Sequence, residues 1–408
     1  MIELLAREPV DQTGRDPDEF WWRIDAAVAD FSGPLAVIDV GALRHNALDL
    51  LVRAGGVPIR VASKSVRVRA VLDAVLALPG YAGILAYTLP EALWLAETHE
   101  DIVVGYPTAD RAALAHLAAD ESAARRVTLM VDDIAQLDLL DAVAPPSVRA
   151  EVRVAIDADA SWRSAALGHV GVRRSPLHDA ADVTRLARAI AARPGVRLVG
   201  LMMYEAQVAG QPDAVGPEAP LMRWMKRRSI AELHDRRAGI VSALRDVAAL
   251  EFVNGGGTGS LEATSADRSV TELTAGSGLL AGHVFDGYRG FAPAPASAFS
   301  LEVVRRPTAD IVTVLGGGWV GSGPPAASRQ PRPVWPAPLR TLTREGAGEV
   351  QTPLQGRAAS TLAIGDRVWF RHAKSGETAE HVDRYLVVDG GAVIGEVPTY
   401  RGEGKAFL

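Results

Sequence analysis

The chain has 408 residues, 48% of them hydrophobic and 23% charged, with a formal net charge of -6 and no cysteine. Its length exceeds the ~150 residues of an ordinary domain and predicts two to three units; the lack of a basic block argues against a nucleic-acid partner, and apolar runs far shorter than ~20 residues argue against a membrane span. Without cysteine there are no disulfides, thiol nucleophiles, iron–sulfur clusters or Cys-held zinc, so any metal must be held by His and carboxylates.

Residues 1–32 form an N-terminal segment whose acidic, broken opening is unlike a signal peptide, so the expected location is cytoplasmic. A helix is predicted over 17–31, anchored by Trp21, Trp22 and Phe31. A rhythm of short apolar runs then begins: Leu35–Asp39, Ile59–Ser63, Gly83–Ala86, Ile102–Val104, Val127–Val131, Val152–Asp157, Leu198–Met203 and Phe252–Asn254. Helical periods separate them, and eight strands alternating with helices predict a (β/α)8 barrel of the TIM type over residues 33–290. An open doubly wound sheet fits the same pattern. From 291 to 408 the helical period is lost, Gly and Pro are dense, and a C-terminal, mostly-β domain is predicted.

Chemistry concentrates where predicted strands end. Lys64 closes the run Ile59–Ser63 just before a helical stretch, on the rim where barrel active sites are built. It is one of only four lysines against 43 basic residues in all. Arg stays protonated in proteins, whereas a Lys amine can lose its proton and form a Schiff base. After the last predicted strand, FVNGGGTGS brings Asn254, Gly256, Gly257 and Thr258, whose backbone can approach a phosphate closely. A second small-residue loop, AGSGLLAG, offers Ser277. An amine on one strand end and a phosphate cradle on another suit pyridoxal 5′-phosphate (PLP). Tyr204 and Gln207 end another strand and could meet the ring, and Arg163 or Arg174 could face its nitrogen.

The order of these stretches, Lys64, then DADAS and GVRRSP, then GLMMYEAQ, NGGGTGS and finally GDRVWFRHAKSGE, resembles the fold-type III PLP enzymes, the alanine racemase-like barrels. The likeness is greatest to their D-threonine aldolase and D-serine dehydratase branch, and it spans residues 33 to 400. The resemblance implies that Lys64 is the Schiff-base lysine, that Gly256, Gly257, Thr258 and Ser277 lie near the phosphate, and that Tyr204 lies near the ring. It also implies a homodimer.

Two departures stand out. The branch holds a divalent metal through a His and a Cys or Asp two residues later; here those positions are His372 and Lys374. It also carries a His where this chain has Gln207. The expectation is therefore a metal lost, or held differently through Glu377, His381 or Asp383. In the metal-free version Lys374 takes the metal's place and His372 shuttles a proton. The function implied is a PLP-dependent lyase for a small D-β-hydroxy amino acid, by retro-aldol cleavage or by β-elimination with deamination. The alternatives are a racemase of the same fold, needing a second base such as Tyr288 or Tyr385, and a non-catalytic PLP-binding protein.

Overall fold

A computed structural model describes residues 2–5, 17–323 and 326–408; most of the acidic lead-in, residues 6–16, lies outside them. The chain divides into two compact units, one of residues 1–49, 65–78 and 276–406, the other of 50–64, 79–275 and 407–408. The first eleven strands are β1 (Leu35–Asp39), β2 (Ile59–Ala62), β3 (Tyr81–Ala86), β4 (Ile102–Val104), β5 (Val127–Val131), β6 (Val152–Asp157), β7 (Trp162–Ser164), β8 (Gly168–Val170), β9 (Val196–Met203), β10 (Phe252–Gly255) and β11 (Glu272–Ala275).

Eight of these close the barrel of the second unit, in the order β2-β3-β4-β5-β6-β9-β10-β11 and back to β2. All neighbours run parallel. Two assignments from the sequence change. β1 is not a barrel strand, and β10 is the seventh rather than the eighth. The place of the eighth is taken by β11, which the apolar count passed over because Glu272 and Thr274 interrupt it.

The barrel interior is a cluster of Ala62, Leu85, Val103, Met130, Ala155, Val199, Met202 and Phe252. β9 contributes both Val199 and Met202 because its register with β6 shifts between Val154 and Ala155. Gly200 makes room for the Phe252 ring: a Cβ there would lie 2.3 Å from a ring carbon. Beside the cluster, Arg60 pairs with Glu272 at 2.8 Å and lies over the Phe252 ring, 5.5 Å from its centroid.

The other unit is built on a nine-stranded sheet. Its later strands are β12 (Ser297–Thr308), β13 (Ile311–Leu315), β14 (Arg332–Trp335), β15 (Arg340–Thr341), β16 (Gln351–Gln355), β17 (Arg367–Arg371), β18 (Arg384–Asp389) and β19 (Ala392–Pro398). The main path is β15-β16-β13-β12-β1-β18-β19, with β17 joining β12 to β14. β1 thus runs antiparallel to β12 and parallel to β18. A continuous apolar run such as LAVID fits any strand buried on both faces, which is why pattern alone placed it in the barrel. The N-terminal helix, Pro17–Ala27, is shorter than predicted and lays Phe20, Trp21 and Ile24 on Leu35, Val37, Trp369 and Leu386. Trp21 stacks on Trp369, whereas Trp22, expected as an anchor, is 63% exposed. Among the described residues no helix is long and apolar enough to cross a membrane.

Candidate active site

Side chains alternate along a strand, so a residue two positions beyond an interior one faces inward again, one layer nearer the rim. From Ala155 this rule leads, within β6, to Asp157; Tyr87, Asp132 and Tyr204 stand at the same step one residue past the ends of β3, β5 and β9, and Lys64 lies in the turn that follows β2. All belong to the barrel unit. The sequence reading singled out Lys64 and Tyr204; it missed Tyr87, Asp132 and Asp157, which the two-residue step would have found.

Lys64 lies in the short 3-10 turn Ser63–Ser65, where β2 hands over to the helix Arg69–Leu76. The turn is tied down by Ser63 Oγ, which donates to the Leu85 carbonyl at 3.1 Å. Half-buried, Lys64 donates from Nζ to the phenol oxygen of Tyr106, a residue not foreseen, and Nζ lies 5.1 Å from the centroid of that ring. Of the other lysines in the chain, Lys226 is buried in an ion pair with Asp213 at 3.0 Å.

The neighbouring groups shift one another. Burial, with Glu205 and Tyr106 alongside, pushes the Tyr204 phenol up to about 12 against the pull of Arg174. It is therefore a neutral hydrogen-bond donor at physiological pH. Burial, then the charge of Asp132, pushes Asp157 up to about 7, again against Arg174. Asp132 is raised by burial while Gln136 Nε2 donates to it at 2.6 Å.

The glycine loop is braced from behind. Glu205 is wholly buried and accepts from the Gly256 N–H at 3.2 Å, from Ser260 Oγ at 2.8 Å and from Thr264 Oγ1. It pairs with Arg237, which also pairs with Asp267 at 2.7 Å. The Gly257 N–H donates to Ser260 Oγ, and Arg53 donates to the Thr258 carbonyl at 2.6 Å. Two of the amides expected to face a phosphate are thus spent inside the loop. Gly256 needs its φ of +85°. At Gly257 a Cβ would lie 3.1 Å from the Tyr204 ring, which puts the loop backbone against that phenol.

Other expected residues are engaged elsewhere in the unit. Gln207 Nε2 donates to the Ala160 carbonyl at 2.7 Å and to Ser229 Oγ at 2.9 Å, tying loops together. Asn254 donates to Glu272 and accepts from Thr274. Arg163 and Arg174 are exposed and line an open cavity of about 830 Å³ beside the β7–β8 hairpin, of which Arg174 acts on Asp157 and Tyr204.

Ser277, His372 and Lys374 belong to the other unit. The Ser277 carbonyl accepts from Ser375 Oγ at 2.6 Å. His372 is 2% exposed, with Nε2 3.4 Å from Ser375 Oγ and Nδ1 buried without a hydrogen-bond partner among the described residues. Burial, with Arg371 and His283 near, pushes it down to about 3. A proton shuttle must hold its proton near neutrality, and this imidazole does not. Lys374 Nζ lies 3.4 Å from Ser322 Oγ, and the Ser322 N–H donates to Glu377 at 3.1 Å. His381 stacks on Trp319 at 4.8 Å, and Asp383 pairs with Arg401. Among the described residues no three His, Asp or Glu side chains gather as a metal site. Tyr288 and Tyr385 are both buried, and burial raises the Tyr385 phenol further.

Residues 38–243 match the family described as alanine racemase, N-terminal domain. The chain belongs to that family. No curated protein matches it. Among solved structures, D-threonine aldolase from Filomicrobium marinum is similar over 92% of this chain and 96% of its own, with a TM-score of 0.76 and 22% identity. D-threo-3-hydroxyaspartate dehydratase from Delftia sp. HT23 covers 91% and 98%, at TM-score 0.67 and 21% identity. Alanine racemase from Corynebacterium glutamicum covers 83% and 90%, at 0.54 and 18%. At such identities the likeness concerns the fold, and this alanine racemase-family chain shares its barrel with lyases and racemases alike.

Proposed function

We propose that this alanine racemase-family chain is a PLP-dependent lyase for small D-β-hydroxy amino acids, working as a homodimer. The observation that carries the reading is Lys64: an amine in the turn that ends a barrel strand, bonded to one phenol and in a unit where a second, Tyr204, backs a glycine loop. The likeness to a D-threonine aldolase and a hydroxyaspartate dehydratase supports the choice of a lyase.

The residues fit PLP. Lys64 would hold its aldehyde carbon, Tyr204 would pack on the ring, and the Thr258 end of the glycine loop would take the phosphate. When bound, PLP supplies an electron sink for the pair released at the substrate's Cα. Tyr106 orients the Lys64 amine through its phenol oxygen. The Glu205 brace keeps the loop in one shape before any ligand arrives, which lowers the ordering cost of binding. Burial of Tyr288 and Tyr385 weighs against a racemase, whose second base must reach the Cα.

The test has two parts. Borohydride reduction of PLP-loaded protein followed by peptide mass spectrometry should put the pyridoxyl group on Lys64, and Lys64→Ala should carry none. Products from the four stereoisomers of phenylserine, with and without a chelator, then assign the reaction. Benzaldehyde with glycine means an aldolase, and phenylpyruvate with ammonia a dehydratase. A labelled enzyme that forms neither product pair but scrambles Cα configuration would overturn the lyase reading. Activity that survives the chelator supports Lys374 in the metal's place.

A further inference from the structure

With Gln207 where the branch has a histidine, and His372 only 2% exposed, the lyase reading lacks a group to handle the proton of the substrate's β-hydroxyl. The barrel wall facing Lys64 supplies one. β2 and β6 stand four strands apart in a ring of eight, so they are opposite walls. Asp157 ends β6 and follows the interior residue Ala155 by two, and Lys64 lies in the turn that ends β2. Asp132 stands beside it, since Val131 pairs with Ile156 and each is followed by its aspartate.

We propose that Asp157 is the acid–base residue for the substrate's β-oxygen, tuned by Asp132. This rests on the lyase reading and deepens it. Three features separate Asp157 from an ordinary solvated rim carboxylate. Its carboxylate takes no hydrogen bond from any described residue, although it is partly buried. Its neighbours are otherwise engaged: Asp132 by Gln136, and Asp159 by the Ser161 N–H and hydroxyl at 2.9 and 2.6 Å. The charged groups acting on it are Asp132 from the end of β5, Asp159 from its own loop and Arg174 from beyond the hairpin, one cation against two carboxylates. That balance and burial bring it close to pH 7, where a group exchanges protons most effectively.

In retro-aldol cleavage the Asp157 carboxylate takes the β-hydroxyl proton. The Cα–Cβ bond breaks, its electron pair stays with Cα, and the aldehyde C=O forms from the O–H pair. Return of one proton to Cα completes glycine. In elimination the Lys64 amine takes the Cα proton, the pair from that C–H bond forms the Cα–Cβ double bond as the Cβ–O bond breaks, and the protonated carboxyl gives its proton to the departing hydroxide, which leaves as water; hydrolysis of the resulting enamine then gives the 2-oxo acid and ammonia.

The experiment uses the full-length PLP-loaded enzyme with D-threo-phenylserine. Wild type should show kcat/KM changing through an apparent pKa near 7, rising with pH where benzaldehyde is the product and falling where phenylpyruvate is. Asp157→Asn should lose ~100-fold or more in kcat at near-constant KM and lose that limb. Asp157→Glu should recover part of the loss, and Asp132→Asn should move the limb to lower pH. An independent readout is the infrared titration of the carboxyl in cofactor-free protein, wild type minus Asp157→Asn, with a midpoint near 7. Pyridoxyl labelling of Lys64 must stay intact in every variant. A limb that survives in Asp157→Asn, a change confined to KM, or a midpoint in the ordinary carboxylate range overturns the inference alone. Absence of Lys64 labelling in wild type removes the lyase reading and the inference with it.

Discussion

Glu205 is a wholly buried and Asp157 a partly buried carboxylate of one barrel, and the structure treats them oppositely. Glu205 meets an amide, two hydroxyls and a guanidinium. Removing one partner of such a buried pair typically costs ~3–5 kcal/mol, so Glu205→Ala is expected to lose that much in urea unfolding and to release PLP more readily on dilution. Asp157 has no such company, and its pKa rises from the carboxylate range to about 7. The folded state then binds the proton more tightly than the unfolded one, so this residue's contribution is present below about pH 4 and lost as pH climbs to 7. Asp157→Asn should therefore be more stable than wild type at pH 8 and match it near pH 4, as melting curves would report. His372 has the opposite sign. Held down to about 3 in the fold against 6.5, it contributes stability above pH 6.5 that is lost as pH falls toward 3. Lys64 could be read from the sequence because lysine is scarce and sits at a strand end. Tyr106 could not, since one tyrosine after a three-residue strand carries no pattern.

The elements were legible where alternation was clean and illegible where packing broke it. Seven of the eight barrel strands read from the sequence, β2 to β6, β9 and β10, stand in order, each one place earlier than supposed. β11 was hidden because its inward positions, Glu272 and Thr274, answer Arg60 and Asn254 rather than an apolar core. Gly200 against Phe252 is a close interior approach. Gly200→Ala is expected to cost ~1–3 kcal/mol by overpacking, and Phe252→Leu in the same chain should recover part of it; denaturant titration of the single and double variants checks both. The N-terminal helix illustrates the same limit. Its apolar stripe gave Trp21 correctly, but no period distinguishes a stacked Trp21 from an exposed Trp22 when the two are adjacent.

At the scale of the molecule, what matters is which distant stretches complete each unit. The barrel unit draws on one nearly continuous span, whereas the sheet unit gathers residues 1–49, 65–78 and 276–406. β1 lies at the middle of that sheet, all five residues buried, between β12 and β18. During synthesis this consequence becomes temporal. β1 ends at Asp39, and its first partner does not begin until Ser297. At ~5–20 residues per second the nascent strand waits roughly 10–50 s on the ribosome without a neighbour. A LAVID segment left open for that long is a template for pairing between chains. A fragment of residues 1–290 is accordingly expected to aggregate on expression, and Val37→Lys in that fragment should improve its solubility while preventing assembly of the full-length sheet. Chaperone dependence of the intact chain, read as soluble yield with and without co-expressed trigger-type holdases, would measure how long that wait is tolerated.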